Sequence, residues 1–218
     1  MGLKTKLISL LPECIADAIN KNKICGSGIA LQRNGVRLNN TVIKCAGGDN
    51  NKIILSPGAS LSDCSVYISG SNNTIVVSEN CKLNKVKFWL EDDGNEINVG
   101  RGTTTSGECE FAVIEGTKIN IGEDCMFSGK IRLSTGDSHS IISDGKRINP
   151  SKDINVGNHV WVGTQVNMLK GSKISDNSIV GTCALVTSEF NERGVAVAGI
   201  PAKIVKTNVD WKRERIEV

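Results

Sequence analysis

Residues 53–140 read as four abutting blocks of twenty-two: IILSPGASLSDCSVYISGSNNT from Ile53, IVVSENCKLNKVKFWLEDDGNE from Ile75, INVGRGTTTSGECEFAVIEGTK from Ile97 and INIGEDCMFSGKIRLSTGDSHS from Ile119. After an interruption come two shorter blocks of eighteen, INVGNHVWVGTQVNMLKG from Ile154 and SKISDNSIVGTCALVTSE from Ser172. A fixed period over this length governs the architecture of the whole chain. The third block position holds Leu55, Val77, Val99, Ile121, Val156 and Ile174, and the ninth holds Leu61, Leu83, Thr105, Phe127, Val162 and Val180. A third column six positions on reads Tyr67, Trp89, Phe111, Leu133, Met168 and Val186. Three inward columns per block predict three short strands per turn, a triangular all-β solenoid.

Small residues recur at one position, Ala59, Cys81, Thr103, Cys125, Val160 and Ser178, where the chain turns past a neighbouring coil. The four extra residues of the long blocks fall in SGSNNT, EDDGNE and IEGTK, whose Gly, Asn and Asp tolerate positive φ, so one corner bulges outward. Outside the repeat, Leu7, Leu10, Leu11, Ile15, Ala18 and Ile19 mark one face at helical spacing, interrupted by Pro12. Residues 1–30 read as a cap and 31–189 as the solenoid. The stretch from Leu31 to Lys52 is an irregular first coil in which Arg33 and Asn39 fall at inward sites, and residues 190–218 form a C-terminal tail.

Composition bounds the rest. The 218 residues are 39% hydrophobic but only 4% aromatic, so the core is built from Ile, Val and Leu. A net charge of +3, from 26 basic and 23 acidic residues, gives no bulk attraction to nucleic acid. The N-terminal thirty residues lack an apolar run fit for a signal peptide or spanning helix, which implies a cytoplasmic protein with at most peripheral membrane contact. The eight cysteines lack the spacing of zinc knuckles and are expected to be reduced, structural thiols.

Only Ser134–Asp153, STGDSHSIISDGKRINPSKD, breaks the repeat, and a loop carried on a rigid scaffold is where chemistry is sought. It contains His139, one of two histidines, whose imidazole suits a general base near neutral pH. Asp137 is placed either to orient that ring or to form the turn. Arg132, Arg147 and Asn149 lie in or beside the loop as candidates for contact with an anionic sugar. His159 falls near a corner and reads as a surface residue, and two histidines do not furnish a three-nitrogen zinc shell, so no metal is expected. Trp161 is read as outward and in want of a partner, Trp89 as core, and Trp211 as a pin for the tail.

The run VGNHVWVGTQVNMLKGSKISDNSIVGTCALVTSEF with AVAGIPAKIVK, preceded by LSTGDSHSI and RINPSKDI, resembles the hexapeptide-repeat acyltransferases. It lies near the maltose and galactoside acetyltransferases and nearer those that modify capsule, exopolysaccharide and sialic acid. The resemblance covers roughly Ile119–Trp211 and implies a left-handed parallel β-helix, against the usual right-handed rule for parallel crossovers. It implies acetyl-CoA as cosubstrate, a carbohydrate hydroxyl as acceptor, direct transfer with His139 as base, and a homotrimer with coenzyme A in the groove between subunits. Trp161 matches the tryptophan beside the pantetheine arm. Thr164, Thr182, Thr187, Gly199, Lys203 and Lys206 fall where relatives contact coenzyme A. This chain departs from the pattern at Ser188, where relatives carry a lysine, and at Ile200 within GIPAK. Two other readings stand beside it: an N-acetyltransferase of a nucleotide-linked amino sugar, and a non-catalytic scaffold with an outward threonine ladder, of which Thr103, Thr104 and Thr105 would be one rung.

Overall fold

The computed structural model describes residues 12–217. Three parallel sheets wrap a single core, and the chain visits them in a fixed cycle, here called faces A, B and C. Face A has eight strands from Lys23–Cys25 to Leu185–Val186, and face B eight from Ile29–Gln32 to Glu189–Phe190. Face C has nine, from Leu38–Asn39 through Ala196–Gly199, and closes on Ala202–Lys206, which pairs antiparallel. Every other rung contact within the three sheets is parallel, as a solenoid requires. The coils begin at Lys23 and run through Gly199, so they extend beyond 31–189 on both sides. The stretch 31–52 is a regular coil: Leu31 pairs Ile53 and Ile43 pairs Val66.

The expected columns are buried where the sequence placed them on faces B and C, and the small column Ala59, Cys81, Thr103, Cys125, Val160 and Ser178 is buried throughout. Face A corrects the reading. Phe111 pairs with Phe88 and Trp89 with Ala112, so the inward column runs Val66, Phe88, Phe111, Leu133, Met168 and Val186. Tyr67 and Trp89 point outward and stack on each other at 4.2 Å. From Ile97 onward the coils gain one residue at the C-to-A corner and lose one at the A-to-B corner. The period stays the same while the strand between those corners slides by one residue, which in a strand exchanges the two faces. Arg33 is buried, as expected of its inward position, and its guanidinium grips Asp17 of the helix Glu13–Ile19 with bonds of 2.9 and 2.7 Å. That pairing holds the Asp17 carboxyl below its usual range, Arg33 contributing most, against the opposing effect of burial. Asn39, in contrast, is exposed. Of the expected apolar helical face, Ile15, Ala18 and Ile19 are exposed, and Ala16, outside that set, is the residue that packs inward; Leu7, Leu10 and Leu11 lie outside the described residues.

All the additional length falls on the A–B edge, at 70–73, 92–95 and 115–117, and the long loop replaces the same corner one coil later. Inside that edge runs a buried polar ladder. Asn51 Oδ1 accepts from Asn73 N–H at 3.0 Å, Asn73 Oδ1 from Asn95 N–H at 2.9 Å, and Asn95 Oδ1 from Thr117 N–H at 3.2 Å. Thr117 Oγ1 then donates to Thr135 Oγ1 at 2.6 Å, so the ladder ends on the residue that opens the loop. Asn73→Ala leaves the buried Asn95 amide without its acceptor and is expected to cost about 1–3 kcal/mol, readable by urea denaturation. A change below about 0.5 kcal/mol would show that the ladder contributes nothing net.

The eight cysteines are free. Burial pushes the thiols of Cys64, Cys81 and Cys125 up to about 11 and that of Cys109 to about 12, so these four are packing groups.

Candidate functional site

The loop leaves face A after Ile131–Ser134 and enters face B at Ile154–Val156. Within it, Ile142–Ser143 and Lys146–Arg147 form a hairpin whose Asp144 and Gly145 both have positive φ, the backbone that a two-residue reversal demands. Its base is held by two clusters. In one, Arg147 forks onto Glu115 at 2.6 and 3.0 Å, and Ser151 Oγ donates to the same carboxylate at 2.7 Å. Arg147 foremost, then Ser151, holds the Glu115 carboxyl down at about 2. In the other, Asp137 receives the Lys170 ammonium and, at 2.8 Å, the Asn149 amide. Those two partners, Lys170 first, lower the Asp137 carboxyl.

Asn149 is buried and its side chain is spent inside the loop, donating to Asp137 and to the His139 carbonyl at 2.8 Å and accepting from Ile141 N–H at 2.7 Å. It is a brace for the backbone of His139 and has no face toward solvent for a sugar. Asp137 likewise serves Lys170 and Asn149, and reaches His139 only through Asn149. Arg147 is committed to Glu115. His139 itself is exposed, on a segment whose backbone is fixed from both sides. Lys170 and Glu115 were missed because their partners lie in another coil and no local motif joins them.

Arg132 stays outward, 3.8 Å from Glu110. All the coenzyme candidates but Thr187 share face C and its edges; Thr187 lies on the A–B edge, between Leu185–Val186 and Glu189–Phe190. Trp161 is 37% exposed, with Nε1 3.5 Å from Ser128 Oγ. Its outward column continues rung by rung through Ile179 and Ala196 to Lys206, a run of about 14 Å at the usual strand spacing. Thr164 lies at the next corner, where a side chain on Gly163 would meet Thr182 N at 2.8 Å. Thr182, Thr187, Gly199, Lys203 and Lys206 are exposed along the same end of the coil. Among the described residues no cluster of three or more His, Cys, Asp or Glu could hold a metal, and no helix is long and apolar enough to cross a membrane.

His159 is not a free surface residue. It occupies a corner column of left-handed backbone shared with Asn80, Gly102, Asp124 and Asn177, a conformation imidazole-bearing residues tolerate better than bulky ones. Its ring stacks on Trp211 at 4.3 Å, Nδ1 lies 2.7 Å from Asp124, and Nε2 lies 3.0 Å from the Trp211 carbonyl. Trp211, buried, donates its indole N–H back to the His159 carbonyl at 2.8 Å, and Arg213 reaches Asp124 and Thr104. Both neighbours of the His159 ring accept only, so the arrangement wants an imidazolium. Burial opposes the charge, but Asp124, the Trp211 carbonyl and Asp210 outweigh it and raise the pKa. A folded pKa above the unfolded value of about 6.5 means this contribution is complete below that value and lost as pH rises through the higher folded one. Tail docking, followed by Trp211 fluorescence in the variant Trp89→Phe, Trp161→Phe, is expected to weaken on that rise. A flat profile across it would exclude the imidazolium. Thr103 and Thr105 are buried and Thr104 is taken by Arg213, so no outward threonine ladder exists here.

No protein-family model matches the chain. A polysialic acid O-acetyltransferase of Escherichia coli O1:K1 is 37% identical over 90 residues, 40% of this chain, and another of Neisseria meningitidis is 33% identical over 91 residues, 41% of this chain. These segments span 29% and 42% of those two proteins. The crystal structure of the polySia-specific acetyltransferase NeuO superposes with a TM-score of 0.81 at 30% identity, over 88% of each chain. That of the polysialic acid O-acetyltransferase OatWY gives 0.84 at 29%, over 89% of this chain and 92% of that one. With its three parallel sheets, its single braced excursion and a 30% identical relative matched almost end to end, the chain belongs to the hexapeptide-repeat acyltransferases of left-handed β-helix fold.

Proposed function

We propose that this protein transfers an acetyl group from acetyl-CoA to a hydroxyl of a carbohydrate acceptor, with His139 as general base. The carrying observation is a loop fixed at both ends by charged clusters while the His139 imidazole stays exposed. His139 takes the proton of the acceptor hydroxyl as its oxygen attacks the thioester carbonyl. The carbon–sulfur bond breaks, and the imidazolium returns the proton to the departing thiolate. A backbone amide steadies the oxyanion. The relatives are named for polysialic acid, which makes that polymer the first acceptor to offer.

Trp161 carries the pantetheine arm, and the column that ends at Lys206, with Lys203 beside it, points toward the phosphates. The loop sits on the A–B edge, whereas Trp161 is on face C, the face that edge does not share. A cofactor laid along face C is therefore best served by His139 of another copy, which favours a homotrimer with sites between subunits. Unpaired thiols suit a reducing compartment and a cytoplasmic enzyme.

Calorimetric titration with acetyl-CoA tests the cofactor without any acceptor. The wild type is expected to bind, and Trp161→Ala to bind about tenfold more weakly, the scale of one stacked or packed aromatic contact. Absence of binding by the wild type overturns the reading. Treatment of labelled product with mild alkali then separates ester from amide: release of the acetyl group supports O-transfer, and retention assigns the amine as acceptor.

A further inference from the structure

On the outward side of face A, one column runs Lys44, Tyr67, Trp89, Ala112, Ser134 and Leu169 in successive rungs. Rungs of a parallel sheet are about 4.8 Å apart, close enough for planar side chains to stack. Tyr67 and Trp89 do so, 4.2 Å apart and 19° from coplanar. The stack then stops, because the next two rungs offer only a methyl and a hydroxymethyl group. What remains is a notch of about 220 Å³ beside the indole, closed at its far end by Gly136 and Ser138. Ser138 is the residue before His139.

The notch is built by specific residues. Trp89 Nε1 donates to Glu91 at 3.1 Å, which fixes the plane of the ring, and Tyr67 backs it. Gly136 closes the end because the loop backbone presses on the coil: a Cβ there would lie 2.4 Å from Ile114 Cγ2 and 2.4 Å from Ser151 Oγ. Glu110 and Arg132 form one side wall, and Lys87, bonded to Glu110 at 2.9 Å, holds its ammonium over the indole ring, 4.5 Å from its centroid, where a stacking sugar displaces it toward the rim. An aromatic wall flanked by polar groups that both donate and accept matches a sugar ring, whose C–H face lies on the aromatic plane while its hydroxyls reach the charged rim.

We propose that this notch is an acceptor subsite, with Trp89 as the stacking platform for one pyranose ring of the carbohydrate. The inference rests on the acetyltransferase reading for its acceptor, and it adds a specificity-determining residue on face A.

The test uses full-length protein, short oligomers of sialic acid as probe, and acetyl-CoA. Trp89→Ala is expected to raise the acceptor KM about tenfold and leave acetyl-CoA affinity unchanged, while Trp89→Phe keeps most of the acceptor binding. Ala112→Tyr extends the existing stack by one rung and fills the notch, so it is expected to abolish acceptor binding with little change in melting temperature. Saturation-transfer NMR on each variant reports sugar binding independently of transfer. Wild-type binding lost in Ala112→Tyr, with no transfer by either protein, would uphold the subsite and remove the transfer reading. Transfer by the wild type that Ala112→Tyr and Trp89→Ala retain at unchanged acceptor KM overturns the subsite alone. Sugar contacts that map away from Trp89, or no sugar binding by the wild type, overturn it as well.

Discussion

His139→Ala is expected to lower acetyl transfer by about 10²–10⁴-fold, the usual range for removing a positioned general base. The loss belongs in kcat, with acetyl-CoA affinity near that of the wild type, because in the proposed reaction the imidazole takes the hydroxyl proton and does not hold the cofactor. The fixed backbone sharpens the prediction. Asn149 holds the His139 carbonyl, and Lys170 with Asp137 holds Asn149, so the alanine variant keeps the loop in place and removes only the ring. Single-turnover measurement with preformed acetyl-CoA complex reads the chemical step directly. Turnover at the wild-type rate would remove His139 from the mechanism. Transfer lost together with cofactor binding would instead mark it as a binding residue.

The largest expected effect on stability is at Phe111. Its ring is fully buried in the middle of the solenoid and meets Phe88 and Phe127 edge-on, both at 5.8 Å. Truncation to alanine removes the ring and leaves a cavity between two aromatic neighbours that the strands hold apart, at a cost of about 3–5 kcal/mol. Equilibrium denaturation in urea measures it. A cost below about 1 kcal/mol would show that the column can collapse around the gap. In a repeat fold each coil touches chiefly its neighbours, so the variant is also expected to broaden the transition by uncoupling the coils above and below.

The sequence announced the solenoid because apolar side chains return at a constant interval on three faces, and constancy is what periodicity detects. It misplaced one column of face A for the same reason. A residue gained at one corner and lost at the next cancels in the length of the coil, and only the pairing of Trp89 with Ala112 reveals the slide. The loop and His139 were legible as the sole break in the pattern. What braces them was not, since Glu115 and Lys170 meet the loop from positions that no spacing relates, and Asn149 read as a sugar contact where it is an internal brace. His159 read as a bystander because its two partners, Asp124 and Trp211, come from a different coil and from the tail. Thr103 and Thr105 fell in repeat columns that the structure buries, as internal hydrogen-bonding groups, Thr103 reaching Gly122 O and Thr105 reaching Asn84 O, so the alternative of an outward threonine ladder finds no rung there.

The antiparallel strand Ala202–Lys206 bears on how the molecule avoids becoming a fibre. A parallel β-helix has open ends, and an uncovered rung is a template on which a second copy can continue the sheets without limit. Here the last rungs of faces A and B are only two residues each, Leu185–Val186 and Glu189–Phe190, and face C is closed by a strand running the wrong way for further parallel growth. That strand carries exposed Lys203 and Lys206, so a copy approaching end-on meets positive charge on a reversed backbone. The two lysines proposed to meet the coenzyme phosphates thus also oppose end-on growth, and removing both is expected to cost cofactor affinity and solubility together.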